Sequence, residues 1–280
     1  MFFFLHWPNL DSKFWRFLEN YVYYAPNPPP LTRSPDKPMQ VLCLGVHRSA
    51  TISLQRALER LGYGPTYHGF DLFYGDPLHY PAWGRLALRK HYGVPQTTEA
   101  KPITAEDFDA ILGDSEVILD SAAFAFAEEL IEAYPDAKVI LNYREDFDAW
   151  HRSFVRAMLP LASEIWWPLI GLFESGMWWI YHTHFRIIVP NFLGAPYGSR
   201  KMEVATRDNG KQAYKSESSP LSSLAYMSGA CGRGRKRGMG RVRGLDGPQC
   251  CCPLKNHRSR HTKSFQRVGV CIHDRAIPLH

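Results

Sequence analysis

The chain has 280 residues, 45% of them apolar and 14% aromatic, enough for one large or two small domains around a sizeable core. Its net charge of +6 is split: residues 1–216 carry 21 Lys and Arg against 24 Asp and Glu, and residues 217–280 carry 12 against 3, so the basic excess sits at the end and no specific nucleic-acid partner is expected. Cysteine divides the same way, with Cys43 alone in the first part and Cys231, Cys250, Cys251, Cys252 and Cys271 in the second, which excludes a disulfide framework for the folded part and fits a reducing, cytoplasmic setting.

The opening MFFFLHWPNLDSKFW has a brief apolar run with neither a basic lead nor a small-residue cleavage site, and is not expected to be a secretory signal. Tyr24 to Pro38 is proline-rich and reads as an extended lead-in. Three regions follow: a lead-in over 1–38, a domain over 39–216 and a tail over 217–280.

Val41 to Gly62, VLCLGVHRSATISLQRALERLG, reads as strand, tight loop and helix. A helix N-terminus carries unpaired N–H groups and the positive end of the macrodipole, so a loop wrapped over it suits an anion. Hydroxyls at Ser49, Thr51 and Ser53 add donors, and Arg48 adds a full charge in fork geometry. There is no Gly-Lys pair and no second glycine at the spacing of a nucleotide-hydrolysing loop, which disfavours ATP or GTP hydrolysis. The competing reading is a capped helix after a core strand.

Tyr63 to Pro77 is loop or a short second strand, leading to a helix over about Trp83 to Tyr92. His68 is the first candidate for a general base, because imidazole is matched to proton abstraction near neutral pH; Asp71 and Glu99 are others, and a packed loop histidine is the alternative. Ile103 to Leu112 opens with Thr104 as cap and acids in the first turn, hence a short helix. Ser115 to Asp120 is a strand, Ala122 to Tyr134 one amphipathic helix stopped by Pro135, Lys138 to Tyr143 a strand, and Asp146 starts a further helix. This alternation predicts an α/β fold, a parallel sheet flanked by helices, with ligands beyond the carboxyl ends of the strands. Arg48, Asp120 and Arg144 would then share one rim, where two arginines could hold two separated anionic groups.

Residues 159–194 are dense in tryptophan and other aromatics, but Glu164, Pro168, Glu174, His182 and His184 break any long apolar run. Helices covering the sheet or forming an acceptor cleft are expected, with peripheral membrane contact as the alternative. His182 and His184 would not share a helix face, so a metal site from them is not expected. Residues 217–280 lack an apolar period, are rich in Gly, Ser and Arg, and read as disordered. They could be translated non-coding sequence, a basic arm or a Cys/His metal cluster; three adjacent cysteines, Cys250 to Cys252, fit no zinc template.

GVHRSATISL, ALERLGYGPTYHGFD, DSAAFAFAEELIEAYPDAKVILNYRED and DAWHRSF together resemble the fungal branch of the sulfotransferase-like P-loop proteins, over roughly Met39 to Lys215. The resemblance implies a P-loop-type three-layer fold that binds 3′-phosphoadenylyl sulfate and transfers its sulfuryl group to a small hydroxylated acceptor. Arg48, Ser49, Ala50, Thr51, Ile52 and Ser53 would hold the phosphosulfate, with Arg48 also stabilising the leaving oxygen, and Arg144 and Ser153 would hold the 3′-phosphate. The chain departs from the family pattern at Ala50, often glycine, and at Ile52, where a hydroxyl is replaced. The alternative is an inactive anion-binding module that keeps the loop but not the chemistry. Members of this branch often carry an epimerase/dehydratase label. The chain has no Gly-x-Gly-x-x-Gly, and its Tyr134 and Lys138 are separated by Pro135, so that label has little support here.

Overall fold

The computed structural model describes residues 12–69, 71, 79–93, 102–144, 146–163, 165–194, 205–210 and 268–273. Four parallel strands form the sheet in the order β2-β3-β1-β4, with β1 at Val41–Cys43, β2 at Thr66–Tyr67, β3 at Val117–Leu119 and β4 at Lys138–Arg144. Val41 pairs with Val117 on one side and with Lys138 on the other, so the strand that feeds the loop is central. Every residue of β1 and β3 is buried, as strands covered on both faces require. Val268–His273, within the segment expected to be disordered, forms β5, antiparallel to β4. The remainder of 217–280, including Cys250, Cys251, Cys252, His257 and His261, lies outside the described residues.

The helices follow the pattern with three differences. Helix α1 (Lys13–Phe17) and a π turn (Leu18–Val22) precede β1, and Trp15, Tyr23 and Ala25 enter the main core. The expected lead-in therefore packs on the domain: Arg33 donates to Asp109, to the Leu112 carbonyl and to the Ser115 carbonyl. Helix α2 (Thr51–Arg60) follows β1, and α3 (His79–Tyr92) starts four residues before the expected Trp83. Helix α4 (Ala105–Leu112) has the expected cap, a reciprocal box between Thr104 and Asp107.

The single helix expected over Ala122 to Tyr134 is two, α5 (Ser121–Ala125) and α6 (Ala127–Ala133), broken at Phe126. At the break the Phe126 ring packs against both Trp83 and Phe108, which also touch each other, and Lys90 donates to the Ala125 carbonyl freed by it. Burial of a large ring outweighs one turn of helical hydrogen bonding. Trp83 is wholly buried and its indole N–H donates to Tyr67 Oη at 2.9 Å. Trp83→Ala is expected to cost about 3–5 kcal/mol, read as a lower urea midpoint, because it empties this cluster and strips Tyr67 of a donor.

Helix α7 (Phe147–Ser163) follows β4. The aromatic-rich stretch then folds as α8 (Trp166–Gly171), α9 (Ser175–Ile180), a π-helical segment (Tyr181–Ile188) and α10 (Val189–Phe192). All eight residues of the π segment are buried, and it packs against α3, α8, α9 and α10. Among the described residues no helix is long and apolar enough to cross a membrane.

Candidate active site

The rim formed by the carboxyl ends of β2, β3, β1 and β4 collects the residues singled out in the sequence. The loop from Gly45 to Ala50 leaves β1 and turns into α2 through two left-handed residues, Arg48 (φ 66°) and Ala50 (φ 67°). Ala50 is the N-cap of α2 and supplies no side-chain hydrogen bond. The first-turn N–H groups thus lack the side-chain acceptor that usually closes a helix start, which leaves them to an anion.

The loop is held from beneath. Asn142 of β4 is buried and donates through Nδ2 to the Ser49 carbonyl at 3.1 Å and to Ser49 Oγ at 2.6 Å. Ser49 Oγ in turn donates to the Val46 carbonyl at 2.5 Å. The Trp150 indole N–H of α7 donates to the His47 carbonyl at 2.9 Å. Ser49 is fully buried, and Thr51 Oγ1 lies 3.1 Å from His68 Nε2, so neither hydroxyl faces outward as the spacing suggested. Ile52 and Ser53 are exposed on the first turn of α2.

Arg48 is exposed, and its Nε donates to Ser153 Oγ of α7 at 3.1 Å across 105 residues of chain. Arg144, at the end of β4, is largely buried, with Nη1 3.5 Å from the Ala149 carbonyl. Arg48 and Ser153 thus meet beside the loop, while Arg144 packs against the start of α7. His68 and Asp120 stand on the other side, with His68 Nδ1 3.8 Å from Asp120 Oδ2. Asp71 accepts from the His68 backbone N–H at 2.6 Å and serves as a turn cap, while Glu99 lies outside the described residues.

Burial pushes the His68 imidazole pKa down, and Asp120 and Asp71 partly restore it. Asp120 is pushed up by burial, opposed by His68, His184, the Ser121 N–H and Arg48. Beneath them His47 Nε2 is 3.3 Å from His184 Nε2 and 3.4 Å from Ser121 Oγ. Burial drives both rings down to about 3. His182 leaves the π segment in another direction, 2.7 Å from Glu19, and burial holds it at about 4 in spite of that carboxylate. The two histidines therefore bind different elements, and no cluster of three metal-ligating side chains occurs among the described residues.

Three buried neutral imidazoles make folding pH-dependent. Below pH 6.5 the unfolded chain takes up protons that the folded chain refuses until pH 3 to 4, so stability is full above pH 6.5 and is lost as pH falls. Each refused proton contributes about 1.4 kcal/mol per pH unit. Asp120, pushed the other way, offsets part of it. Urea unfolding at pH 7.5, 6 and 5 should show the decline, and His184→Asn should shallow it by about one proton.

The sequence does not single out Asn142, His47 or Trp150, and it marks His184 solely as a metal candidate beside His182, not as a partner of the loop. Asn142 had a signal, a lone amide inside the apolar strand KVILNY. The other three had none, because their partners lie 74 to 137 residues away.

A sulfotransferase domain family model matches residues 40–225 of the chain. Among curated proteins, the chain is similar to Ava biosynthesis cluster protein M of Aspergillus versicolor, 35% identical over 144 residues. That alignment covers 50% of this chain and 52% of the relative, so the chain spans about half the length of the protein it matches.

Proposed function

The chain belongs to the sulfotransferase domain family, and on that premise we propose that it takes a sulfuryl group from 3′-phosphoadenylyl sulfate and passes it to a hydroxyl of a small acceptor. The observation that carries the reading is the mouth of the loop: exposed Arg48, tied to Ser153 at 3.1 Å, beside the side-chain-free N-terminus of α2. A guanidinium and a row of open N–H groups suit a phosphosulfate. The bound donor supplies an activated sulfuryl group on a phosphate leaving group.

The chain's own residues divide the remaining work. Thr51, Ile52 and Ser53 offer backbone N–H groups, and the hydroxyls of Ser49 and Thr51 brace the loop from within. Arg48 stabilises the charge that gathers on the leaving oxygen. Arg144 and Ser153 hold the 3′-phosphate. The acceptor's proton passes to the His68 and Asp120 side of the rim. The name of the Aspergillus relative refers that protein to a biosynthesis cluster, which favours a small metabolite as acceptor here.

One observation favours a second reading, an anion-binding module without transfer: two of the loop hydroxyls are engaged by the protein, and Ile52 stands where a hydroxyl was expected. Calorimetry with 3′-phosphoadenosine 5′-phosphate, followed by turnover of labelled donor against hydroxylated acceptors and water, separates them. Binding with turnover supports the transferase. Binding without turnover supports the module, and folded protein that binds nothing overturns both.

A further inference from the structure

Resting on the sulfotransferase reading, we propose that Asp120 is the proton acceptor of the transfer and that His68 is the residue that positions it. Asp120 stands at φ 71° and ψ −137°, immediately past the carboxyl end of β3. A non-glycine residue there is strained in a way that glycine would avoid; what the strain retains is the carboxylate. Its side chain is 13% exposed against 2% for the His68 ring, so of the pair the carboxylate reaches the rim. Gly69 lets it do so, because a Cβ there would fall on Asp120 Oδ2 and lie 2.8 Å from Ser121 Oγ.

His68 is turned inward. Its Nε2 meets the Thr51 hydroxyl at 3.1 Å, and in the tautomer carrying Nδ1–H the other nitrogen faces Asp120. Neither nitrogen then offers a lone pair to an acceptor at the rim. The charged and titratable groups around the carboxylate come from four elements: His68 after β2, His184 of the π segment, Arg48 of the loop and Tyr80 of α3. Burial pushes the Asp120 pKa up, opposed by its cationic and hydrogen-bonding neighbours, which is the direction that strengthens a carboxylate as a base. In the step itself the acceptor O–H breaks as its oxygen bonds to sulfur, the proton goes to Asp120, and the sulfur–oxygen bond to the adenosine 5′-phosphate breaks with its electron pair on the phosphate.

The test is calorimetric binding of 3′-phosphoadenosine 5′-phosphate at pH 5.5 to 7 in buffers of different ionisation enthalpy, with turnover of the donor in water alongside. An anion bound beside Asp120 disfavours its charge, so the wild-type protein takes up protons on binding. Asp120→Asn should bind at least as tightly, lose that uptake, and lower turnover by about 10²–10⁴-fold. His68→Gln should keep binding and lower turnover by about tenfold, as loss of positioning. Asp120→Gly, which relieves the backbone, replaces Asp120→Asn if the latter does not fold. A folded Asp120 variant that keeps proton uptake, or keeps turnover within threefold, overturns the proposal. Wild-type protein that binds no nucleotide removes the sulfotransferase reading, and this proposal with it; nucleotide binding with unaltered Asp120 variants removes this proposal alone.

Discussion

Replacing Arg48 with alanine weakens binding of 3′-phosphoadenosine 5′-phosphate by about ten- to a hundredfold, the loss of one or two charge-assisted hydrogen bonds at about 1.5–3 kcal/mol, and leaves the melting temperature unchanged. The side chain is exposed and its hydrogen bond, to Ser153, is one that water can replace. The cost of the left-handed backbone at φ 66° comes from Cβ, which alanine keeps, so no change in stability is expected from it. Arg48→Lys keeps the charge but not the fork that spans Ser153 and an anion, and should recover only part of the affinity. Calorimetry on the folded variants checks both. Unaltered affinity in Arg48→Ala would remove Arg48 from the site.

Gly45→Ala should do the reverse, losing stability first and binding as a result. A Cβ on Gly45 would fall on the carbonyl oxygen and the side-chain amide of Asn142. Backbone cannot yield there, because Leu44 N–H is bonded to the Ile140 carbonyl at 2.9 Å and β1 pairs with β4 over Val41 to Cys43. Displacing Asn142 instead would cut both hydrogen bonds to Ser49, in a place no water reaches. Overpacking at about 1–3 kcal/mol and orphaned polar groups at a similar cost sum to about 2–6 kcal/mol. Urea unfolding measures it, and a loss below 1 kcal/mol would mean that the loop does not sit against Asn142.

Much of this architecture could be read from residue order. Val41 to Gly62 gave strand, loop and helix because each signal was local: an apolar run, a turn with Gly45 and Ser49, and a 3.6-residue period. Thr104 and Asp107 announced their helix for the same reason. Strand alternation was enough to put Arg48, Asp120 and Arg144 on neighbouring strand ends, since β3 and β4 both flank β1. What escaped was decided by tertiary partners. The break at Phe126 depends on Trp83 and Phe108, and the inward turn of the Ser49 hydroxyl depends on Asn142, none of them close in sequence. The histidine pair across His47 and His184 is of the same kind: the π segment alone fixes where residue 184 points.

The strand order also bears on how the chain comes off the ribosome. The central strand is the first to be made, yet neither neighbour exists when it emerges: Val41 waits for Val117 and then for Lys138. At about 5–20 residues per second, β1 spends on the order of 5 to 20 s without a partner on one or both sides. During that interval an apolar strand with open edges is available to other nascent chains, and chaperone dependence during synthesis follows. Completion of β4 is then the event that commits the nascent domain, and a pause in translation ahead of Lys138 would lower the soluble yield more than one of equal length placed after Arg144.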